Sequence, residues 1–204
     1  MTTAVLFVSH SAELNGAELM LLNLIKELDR TKFRPVLITP RNGPLKDEAV
    51  KCRCESLTIP MKWRLTERAN IWKQPLSWAF NLRSIRLIAQ AAAEKNIRLI
   101  FSNSASVFSG SLAAKRLNVP HVWSIHEILA GDQPILFYIL GRKNLVRLIS
   151  RSSCCVIVNS EASRRPFEEY PNIRVVYNGI PFEGKGPRDR TEAKKALGLS
   201  HDDL

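Results

Sequence analysis

Residues 4–28 read AVLFVSHSAELNGAELMLLNLIKEL, and this stretch decides the fold class. Residues 4–8 form a short, continuous apolar run, which predicts a strand at residues 4–9 that is buried on both faces. Residues 16–28 are rich in leucine at helical spacing and predict a helix, joined to the strand by a short polar loop. A buried strand that leads directly into a helix is the repeating unit of a parallel α/β sheet.

The same alternation continues along the chain. Strands are predicted at residues 4–9, 34–39, 56–59, 97–101, 120–125, 155–158 and 173–177, and helices at residues 16–28, 78–93, 107–116, 135–149 and 161–168. The strands are rich in Val, Ile and Leu with little alternation, as expected where helices cover both faces of a sheet. The sequence therefore predicts an α/β domain with a doubly wound, mostly parallel, seven-stranded Rossmann-like sheet.

A change of composition marks the end of this domain. Residues 181–190 contain two prolines and two glycines among basic residues, which is typical of an exposed linker. A short helix is predicted at residues 191–197, with Thr191 as its N-cap. We therefore expect one domain at residues 1–180, followed at 181–204 by an interdomain linker and the first helix of a truncated second domain.

The composition indicates a globular protein with an anionic partner. The 204 residues are 45% hydrophobic and 24% charged, which excludes a disordered tail, a collagen-like rod and a disulfide miniprotein. The net charge of +11 favours a phosphorylated substrate, a nucleic acid or an acidic lipid surface. The first residues do not resemble a signal peptide, and no apolar run approaches the ~20 residues of a membrane span. We expect a cytoplasmic protein whose four cysteines are free thiols.

Polar residues at the ends of the predicted strands are the candidate site, because ligands bind at the carboxyl ends of parallel strands. Asn15 and Gly16 open the first helix, where a small residue and free N–H groups favour an anion, although a turn that merely needs glycine is the alternative. Ser104 follows the fourth strand and could bind a sugar or phosphate oxygen. Ser106 is predicted mainly as a helix cap.

His126 and Glu127 follow the fifth strand. This pair is a candidate for transition-state stabilisation or proton transfer, whereas the alternative is a histidine with a structural role. The cysteines and histidines lack the spacing of a metal site, and no nucleophile can be matched with a base and a third group. We therefore predict no metal and no hydrolase triad.

Two basic regions account for much of the charge. Lys143, Arg147 and Arg151 recur at every fourth position and predict a basic stripe on one helix, which could contact an anionic membrane or simply face solvent. Residues 62–98 mix cations with Trp63 and Trp72. Such mixtures can bind single-stranded nucleic acid, but none of the usual nucleic-acid-binding signatures is present, so we expect no nucleic acid partner.

Several short motifs, taken in order, resemble one enzyme family. The sequences at residues 5–9, 15–18, 102–104, 119–127 and 175–181 resemble the amino-terminal half of family 4 glycosyltransferases. The resemblance implies a GT-B fold, in which two Rossmann-like domains enclose the active site. It implies transfer of a sugar, with retention of configuration, from a nucleotide-sugar donor to a glycan or lipid-linked acceptor such as an envelope polysaccharide precursor. It implies no cofactor and no divalent metal, since the nucleotide-sugar is a substrate.

The resemblance also implies roles for individual residues. The loop at Asn15 and Gly16 would lie near the diphosphate of the donor, and His126 would face the transferred sugar and stabilise the transition state. Glu18, Ser104 and Glu127 would lie near the cleft or the acceptor. Asn15 stands where the family often has a glycine, and asparagine tolerates left-handed backbone angles better than most residues.

The second domain of that family is not represented in this chain. We therefore expect negligible transferase activity from these 204 residues alone. The alternative function is a stand-alone Rossmann-like module that binds an anion or a partner without catalysis.

Overall fold

The computed structural model describes residues 2–63, 72–129 and 141–179, together with Thr191 and Lys194. The strands of these residues are β1 (Thr3–Ser9), β2 (Phe33–Thr39), β3 (Glu55–Thr58), β4 (Leu99–Asn103), β5 (His121–Ile125), β6 (Cys155–Val158) and β7 (Ile173–Val175). Their helices are α1 (Gly16–Glu27), α2 (Pro44–Lys51), α3 (Gln74–Glu94), α4 (Phe108–Leu117), α5 (Arg142–Arg151) and α6 (Glu161–Arg164).

The strands form one sheet in the order β3-β2-β1-β4-β5-β6-β7, and every neighbouring pair is parallel. The chain proceeds outward from β1 to β3 and then crosses to the other side of β1, where β4 begins the second half. The strand order therefore reverses between β1 and β4, and a crevice opens at the carboxyl ends of these strands. The predicted doubly wound, seven-stranded sheet is confirmed.

Helices cover both faces of this sheet, which explains why its strands are continuously apolar. On β1, Val5 and Phe7 pack with α1 and α2, whereas Leu6 and Val8 pack with α3 and α4 on the other face. The β5 side chain of Trp123 packs with α5 in a cluster that continues this second layer. The sheet therefore lies between two layers of helices.

The structure corrects several predicted boundaries. The helix α2 was not predicted, and α6 gives way at Arg165–Phe167 to a short 3-10 helix rather than continuing to residue 168. Gly141 precedes α5 with a φ of 81°, so α5 begins at Arg142; the earlier part of the predicted helix 135–149 lies outside the described residues.

The carboxyl-terminal predictions fall mostly outside the described residues. This holds for the linker 181–190 and for most of the last helix, of which Thr191 and Lys194 are described as helical. Thr191 is thus inside the helix rather than its N-cap. No helix among the described residues is long and apolar enough to cross a bilayer.

Candidate functional site

The loop after β1 is held in place by the start of α2. The Leu45 N–H donates to the carbonyl of Ala12 at 2.9 Å, and a Cβ on Gly43 would lie 2.8 Å from the same oxygen. The close approach of the two segments therefore requires glycine at position 43. The consequence is a fixed path for the loop into the amino terminus of α1.

Asn15 and Gly16 stand exposed at that amino terminus. Asn15 has φ −87° and ψ −178°, so it is extended and its tolerance of left-handed angles is not used. Nothing lies within 4 Å of the position that a Cβ on Gly16 would take. The fold itself thus does not require glycine at position 16, which counts against the explanation by turn geometry alone. Because Gly16 has no side chain, there is open space beside the free N–H groups of the first turn of α1. An anion that binds these N–H groups needs such space.

Glu18 is fully buried in the first turn of α1, with His10 beside it. The Nε2 of His10 lies 3.2 Å from a Glu18 carboxylate oxygen, an ion-pair approach whose angles do not make a hydrogen bond. A buried carboxylate is costly without a compensating partner, and His10 is the titratable group nearest to it. His10 is held in turn by Trp63, whose indole N–H donates to the His10 carbonyl at 2.7 Å. Glu18 is therefore packed behind His10 and does not line the cavity described below.

Ser104 is a buried junction at the end of β4. Its φ of 94° is positive, a backbone conformation that residues other than glycine rarely adopt. Its N–H donates to the carbonyl of Ser124 at 2.8 Å, and its own carbonyl accepts from the Trp123 indole at 2.7 Å. Its hydroxyl donates to Glu127 and accepts from the N–H of Ser106 at 3.1 Å. The polar groups of Ser104 are thus all hydrogen-bonded within the protein, and its role is to position the loop after β4.

Ser106 does not cap α4. The N-cap position is Val107, which makes no side-chain capping bond, and the buried Ser106 belongs to the turn below the helix. The prediction of Ser106 as the cap was wrong because the left-handed Ser104 redirects the chain before the helix begins.

Glu127 connects the loops after β4 and β5. Its carboxylate accepts from the Ser104 hydroxyl, from the N–H of Ala105 at 3.1 Å and from the N–H of His126 at 3.1 Å. Charged acceptors make stronger hydrogen bonds than neutral ones, so these contacts fix both loops. Glu127 is therefore a positioning residue for its neighbour His126.

His126 has a defined orientation and protonation. The Nδ2 of Asn103 donates to the carbonyl of Ala17 at 3.1 Å, which turns the amide oxygen of Asn103 towards His126. That oxygen lies 2.8 Å from Nε2 of His126, so Nε2 carries the proton and donates it. Burial lowers the pKa of His126, with His10 adding to the effect and Glu127 opposing it. The imidazole is thus neutral near pH 7, with its lone pair on Nδ1.

A cavity of about 640 Å³ opens beside His126 at the carboxyl edge of the sheet. One wall is α1, one is the ends of β4 to β6, and one is the segment after β7; the lining includes Met20, Asn23, Leu24, Asn103, Ser124, His126, Asn159, Val176, Tyr177 and Asn178. Of the predicted site residues, only His126 lines it. The outward face of α1 was missed, because its leucines are indistinguishable in sequence from core residues.

The predicted basic stripe lies where the sequence placed it. Lys143, Arg147 and Arg151 are exposed on α5, whose opposite side buries Leu145 and Ile149 in the core. The stripe is on the helical layer of α3 and α4, on the helix that follows His126 in the chain and leads to β6.

Residues 14–183 match the family model of Glycosyltransferase Family 4. The chain belongs to glycosyltransferase family 4. The match covers more than half of the sequence and includes both His126 and the Asn15–Gly16 loop. The resemblance on which the prediction rested is therefore confirmed.

Solved structures show the same fold. With HepE of Anabaena in complex with UDP the TM-score is 0.68, at 23% identity over 97% of this chain and 50% of HepE. A glycosyltransferase of Rickettsia africae gives 0.66, at 15% identity over 98% of this chain and 51% of its own. The lipopolysaccharide outer core galactosyltransferase WaaB gives 0.61, at 13% identity over 92% of this chain and 50% of WaaB. The comparison with curated proteins gave no match.

The chain spans about half the length of these structures. Its sheet is the amino-terminal Rossmann-like half of a GT-B glycosyltransferase fold, as predicted.

Proposed function

We propose that this domain is the acceptor-side half of a retaining glycosyltransferase, which moves a sugar from a nucleotide-sugar donor to a glycan or lipid-linked acceptor. The observation that carries the proposal is His126, a neutral imidazole that Asn103 orients and that lines a cavity of about 640 Å³. The cavity lies between α1 and the carboxyl ends of β4 to β6, and the carboxyl edge of a doubly wound sheet is where its ligands usually bind. HepE has been seen with UDP and with UDP-glucose, which supports a nucleotide-sugar as the donor.

The Asn15–Gly16 loop would receive the diphosphate of that donor. Free N–H groups and the positive end of the α1 dipole favour an anion there, and the open space at Gly16 lets it approach the backbone. Asn103 joins this loop to His126, because it donates to Ala17 and accepts from His126. The side-chain amide of Asn103 would thus fix the diphosphate loop and His126 relative to each other.

His126 would act on the transferred sugar. Positive charge develops on the sugar ring as the bond to the diphosphate breaks, and a neutral imidazole can accept a hydrogen bond from a sugar hydroxyl through Nδ1. Glu127 and Ser104 would hold the loop that carries His126, and Glu18 would hold His10. No metal or cofactor takes part in this proposal, since the nucleotide-sugar is a substrate.

The test measures UDP release from UDP-sugars by the protein joined to its donor-binding domain. His126→Ala should lower turnover by about 10²-fold, as expected when a group that stabilises developing charge is lost. Circular dichroism controls for folding. Near-normal turnover in a folded variant would remove His126 from the catalytic residues.

The 204-residue chain alone should show negligible transfer, because most of the donor pocket would lie in the second domain. The same assay on the chain by itself, next to the intact mass of the natural protein, tests this point. A natural mass of about twice 23.1 kDa supports the two-domain enzyme. A natural mass near 23.1 kDa would instead favour the alternative of a binding module without catalysis.

We also propose that the basic stripe of Lys143, Arg147 and Arg151 attracts the cytoplasmic face of an anionic membrane. Each cation near such a surface adds about 1 kcal/mol of attraction, which salt screens. Changing all three residues to Glu should reduce sedimentation with anionic liposomes. Unchanged sedimentation would leave the stripe as a solvated face, and tight oligonucleotide binding would contradict the prediction that no nucleic acid is bound.

A further inference from the structure

Trp63 is a large aromatic residue that stands exposed at the carboxyl edge of the sheet. Its exposed fraction is 53%. Its polar atom is not available to a ligand, because the indole N–H already donates to the carbonyl of His10 at 2.7 Å. The indole also packs against the His10 ring, with 5.4 Å between the ring centres and 51° between the planes. Trp63 is thus held in one orientation, and what it presents to solvent is aromatic surface.

Buried polar side chains of α3 anchor the segment that carries Trp63. The side chain of Asn81 accepts from the N–H of Lys62 at 2.8 Å and donates to its carbonyl at 2.7 Å. The Ser84 hydroxyl donates to the carbonyl of Pro60 at 2.5 Å. Asn81 and Ser84 are almost completely buried, and a buried polar side chain is costly unless it is hydrogen-bonded. The fold therefore fixes the path of this segment up to Trp63.

The contact with His10 places Trp63 beside the proposed reaction centre. His10 directly follows Ser9, which is the register partner of Asn103 on β4, and the amide oxygen of Asn103 accepts from His126. His126 follows β5, so two strand spacings, about 10 Å, separate the strand ends that carry the two histidines. A separation of this size accommodates two neighbouring sugar rings, the transferred sugar at His126 and a second ring at Trp63.

We propose that Trp63 is a stacking platform for a neutral pyranose ring of the acceptor. The inference rests on the proposed transferase function and deepens it, because it requires an acceptor that carries a sugar rather than a lipid alone. The face of an aromatic ring is electronegative, whereas the C–H bonds on one face of a pyranose carry partial positive charge. The two faces attract each other when they stack, and the hydroxyls around the rim of the sugar stay free for hydrogen bonds.

The surroundings of Trp63 favour a neutral sugar over the other ligands that contact aromatic rings. The electronegative ring face disfavours an anion, and the net charge of +11 disfavours a cation. A lipid chain needs a continuous apolar surface, but the loop after β1 that Trp63 contacts carries Ser11, Glu13 and Asn15, and Lys62 precedes Trp63. An apolar face with a few polar groups around it is typical of a site for a small polar ligand.

The experiment follows the indole N–H signals of the 204-residue chain by NMR while a sugar is added. The probes are the methyl β-glycosides of glucose, galactose and N-acetylglucosamine, and octyl phosphate is the probe for a lipid without a sugar. The signal that is missing in Trp63→Phe belongs to Trp63. The internal control is the signal of Trp72, which is 70% exposed just before α3 and has the Lys73 ammonium 5.1 Å from its ring centre.

Two variants separate stacking from structural support. Trp63→Phe keeps a flat ring but loses the N–H that donates to His10, whereas Trp63→Leu loses both. Trp72→Leu is the matched control. Saturation transfer to the sugar protons measures the affinity of each variant, and circular dichroism checks folding. If Trp63→Leu does not fold, the titrations of the wild type and of Trp63→Phe still decide.

At least one of the three glycosides should shift the Trp63 signal and leave that of Trp72 in place. Trp63→Leu should weaken the binding of that glycoside by about tenfold, because a stacked ring is lost. Trp63→Phe should keep most of the affinity, and Trp72→Leu should bind like the wild type.

A Trp63 signal that none of the glycosides moves, or that only octyl phosphate moves, would overturn the proposal. Wild-type affinity in Trp63→Leu would do the same. Equal losses in Trp63→Phe and Trp63→Leu would overturn it in favour of a purely structural role at His10. The release of UDP from a UDP-sugar to water needs no acceptor and tests His126 separately, so failure of the platform is distinguishable from failure of the transferase function.

Discussion

Protonation of His121 should cost this fold much of its stability in mild acid. His121 begins β5 and is almost completely buried, with Nε2 at 2.9 Å from the Ser102 hydroxyl and Nδ1 at 3.0 Å from that of Ser153. The two hydroxyls can donate or accept, so they satisfy a neutral ring. Burial lowers the pKa of His121 from 6.5 to about 4, because the charged form loses its hydration.

The size of the effect follows from the two pKa values. In the unfolded chain His121 takes up its proton near pH 6.5, whereas in the fold it does so only near pH 4. Between these values the unfolded state binds more protons, so the free energy of unfolding rises with pH. The stabilisation is complete above about pH 6.5 and is lost as the pH falls towards 4. A shift of this size corresponds to roughly 3 kcal/mol.

The assay is urea unfolding at pH values of about 7.5, 5.5 and 4, for the wild type and for His121→Gln. Glutamine can keep hydrogen bonds to both serines but does not titrate. Other groups contribute to the pH dependence, including His126, whose pKa is also lowered, so the difference between the two proteins is the informative quantity. The wild type should lose about 3 kcal/mol more than the variant across this range.

Parallel curves for the two proteins would refute the reasoning. If the variant does not fold, the His121 imidazole of the wild type can be titrated by NMR instead. A pKa close to 6.5 in the folded protein would then show that burial does not act on His121 as inferred.

Two further predictions concern the backbone and the loops of the site. Gly110→Ala should destabilise the fold by about 1–3 kcal/mol, because its Cβ would overlap the Ser102 hydroxyl, whereas Gly16→Ala, which points into open space, should change thermal stability by less than ~0.5 kcal/mol. Equal effects of the two changes would contradict this. Glu127→Ala should cost about 2 kcal/mol in denaturant unfolding, because it leaves the Ser104 hydroxyl and two N–H donors without their acceptor. Glu127→Gln should recover most of that loss, and a glutamine variant as unstable as the alanine one would argue against the hydrogen bonds as the cause.

The sheet could be predicted from the sequence because its strands are buried on both faces. A continuous apolar run at residues 4–8 admits few other structures, and the parallel order follows from the helices between strands. The helix α2 escaped prediction because its eight residues bury only Leu45 and Ala49, too few for a helical period to show. The predicted helix 135–149 does not run through Gly141, whose positive φ precedes α5 and has no signal in the apolar pattern.

The candidate site was predictable only in part. His126 could be found because a histidine at the end of a buried strand lies where ligands bind. The roles of Ser104 and Glu127 could not, because their mutual hydrogen bond joins residues 23 positions apart and depends on the β4–β5 register. Glu18 looks like an ordinary acidic residue in a first helical turn, where such residues usually face solvent. In the structure Glu18 is buried with His10 at 3.2 Å from its carboxylate, and no spacing rule relates the two residues.

The strain at Ser104 indicates how the site is built. A non-glycine residue in the left-handed region costs of order 1–3 kcal/mol, and such strain persists only where the surroundings impose it. At Ser104 the N–H, the carbonyl and the hydroxyl are all bonded, to Ser124, Trp123 and Glu127. The same carboxylate of Glu127 fixes the backbone of His126, so the imidazole is oriented before any ligand arrives. Charge stabilisation is largest when the stabilising groups need not rearrange. In the proposed transfer, the backbone strain at Ser104 is therefore part of the free-energy cost of holding His126 in place.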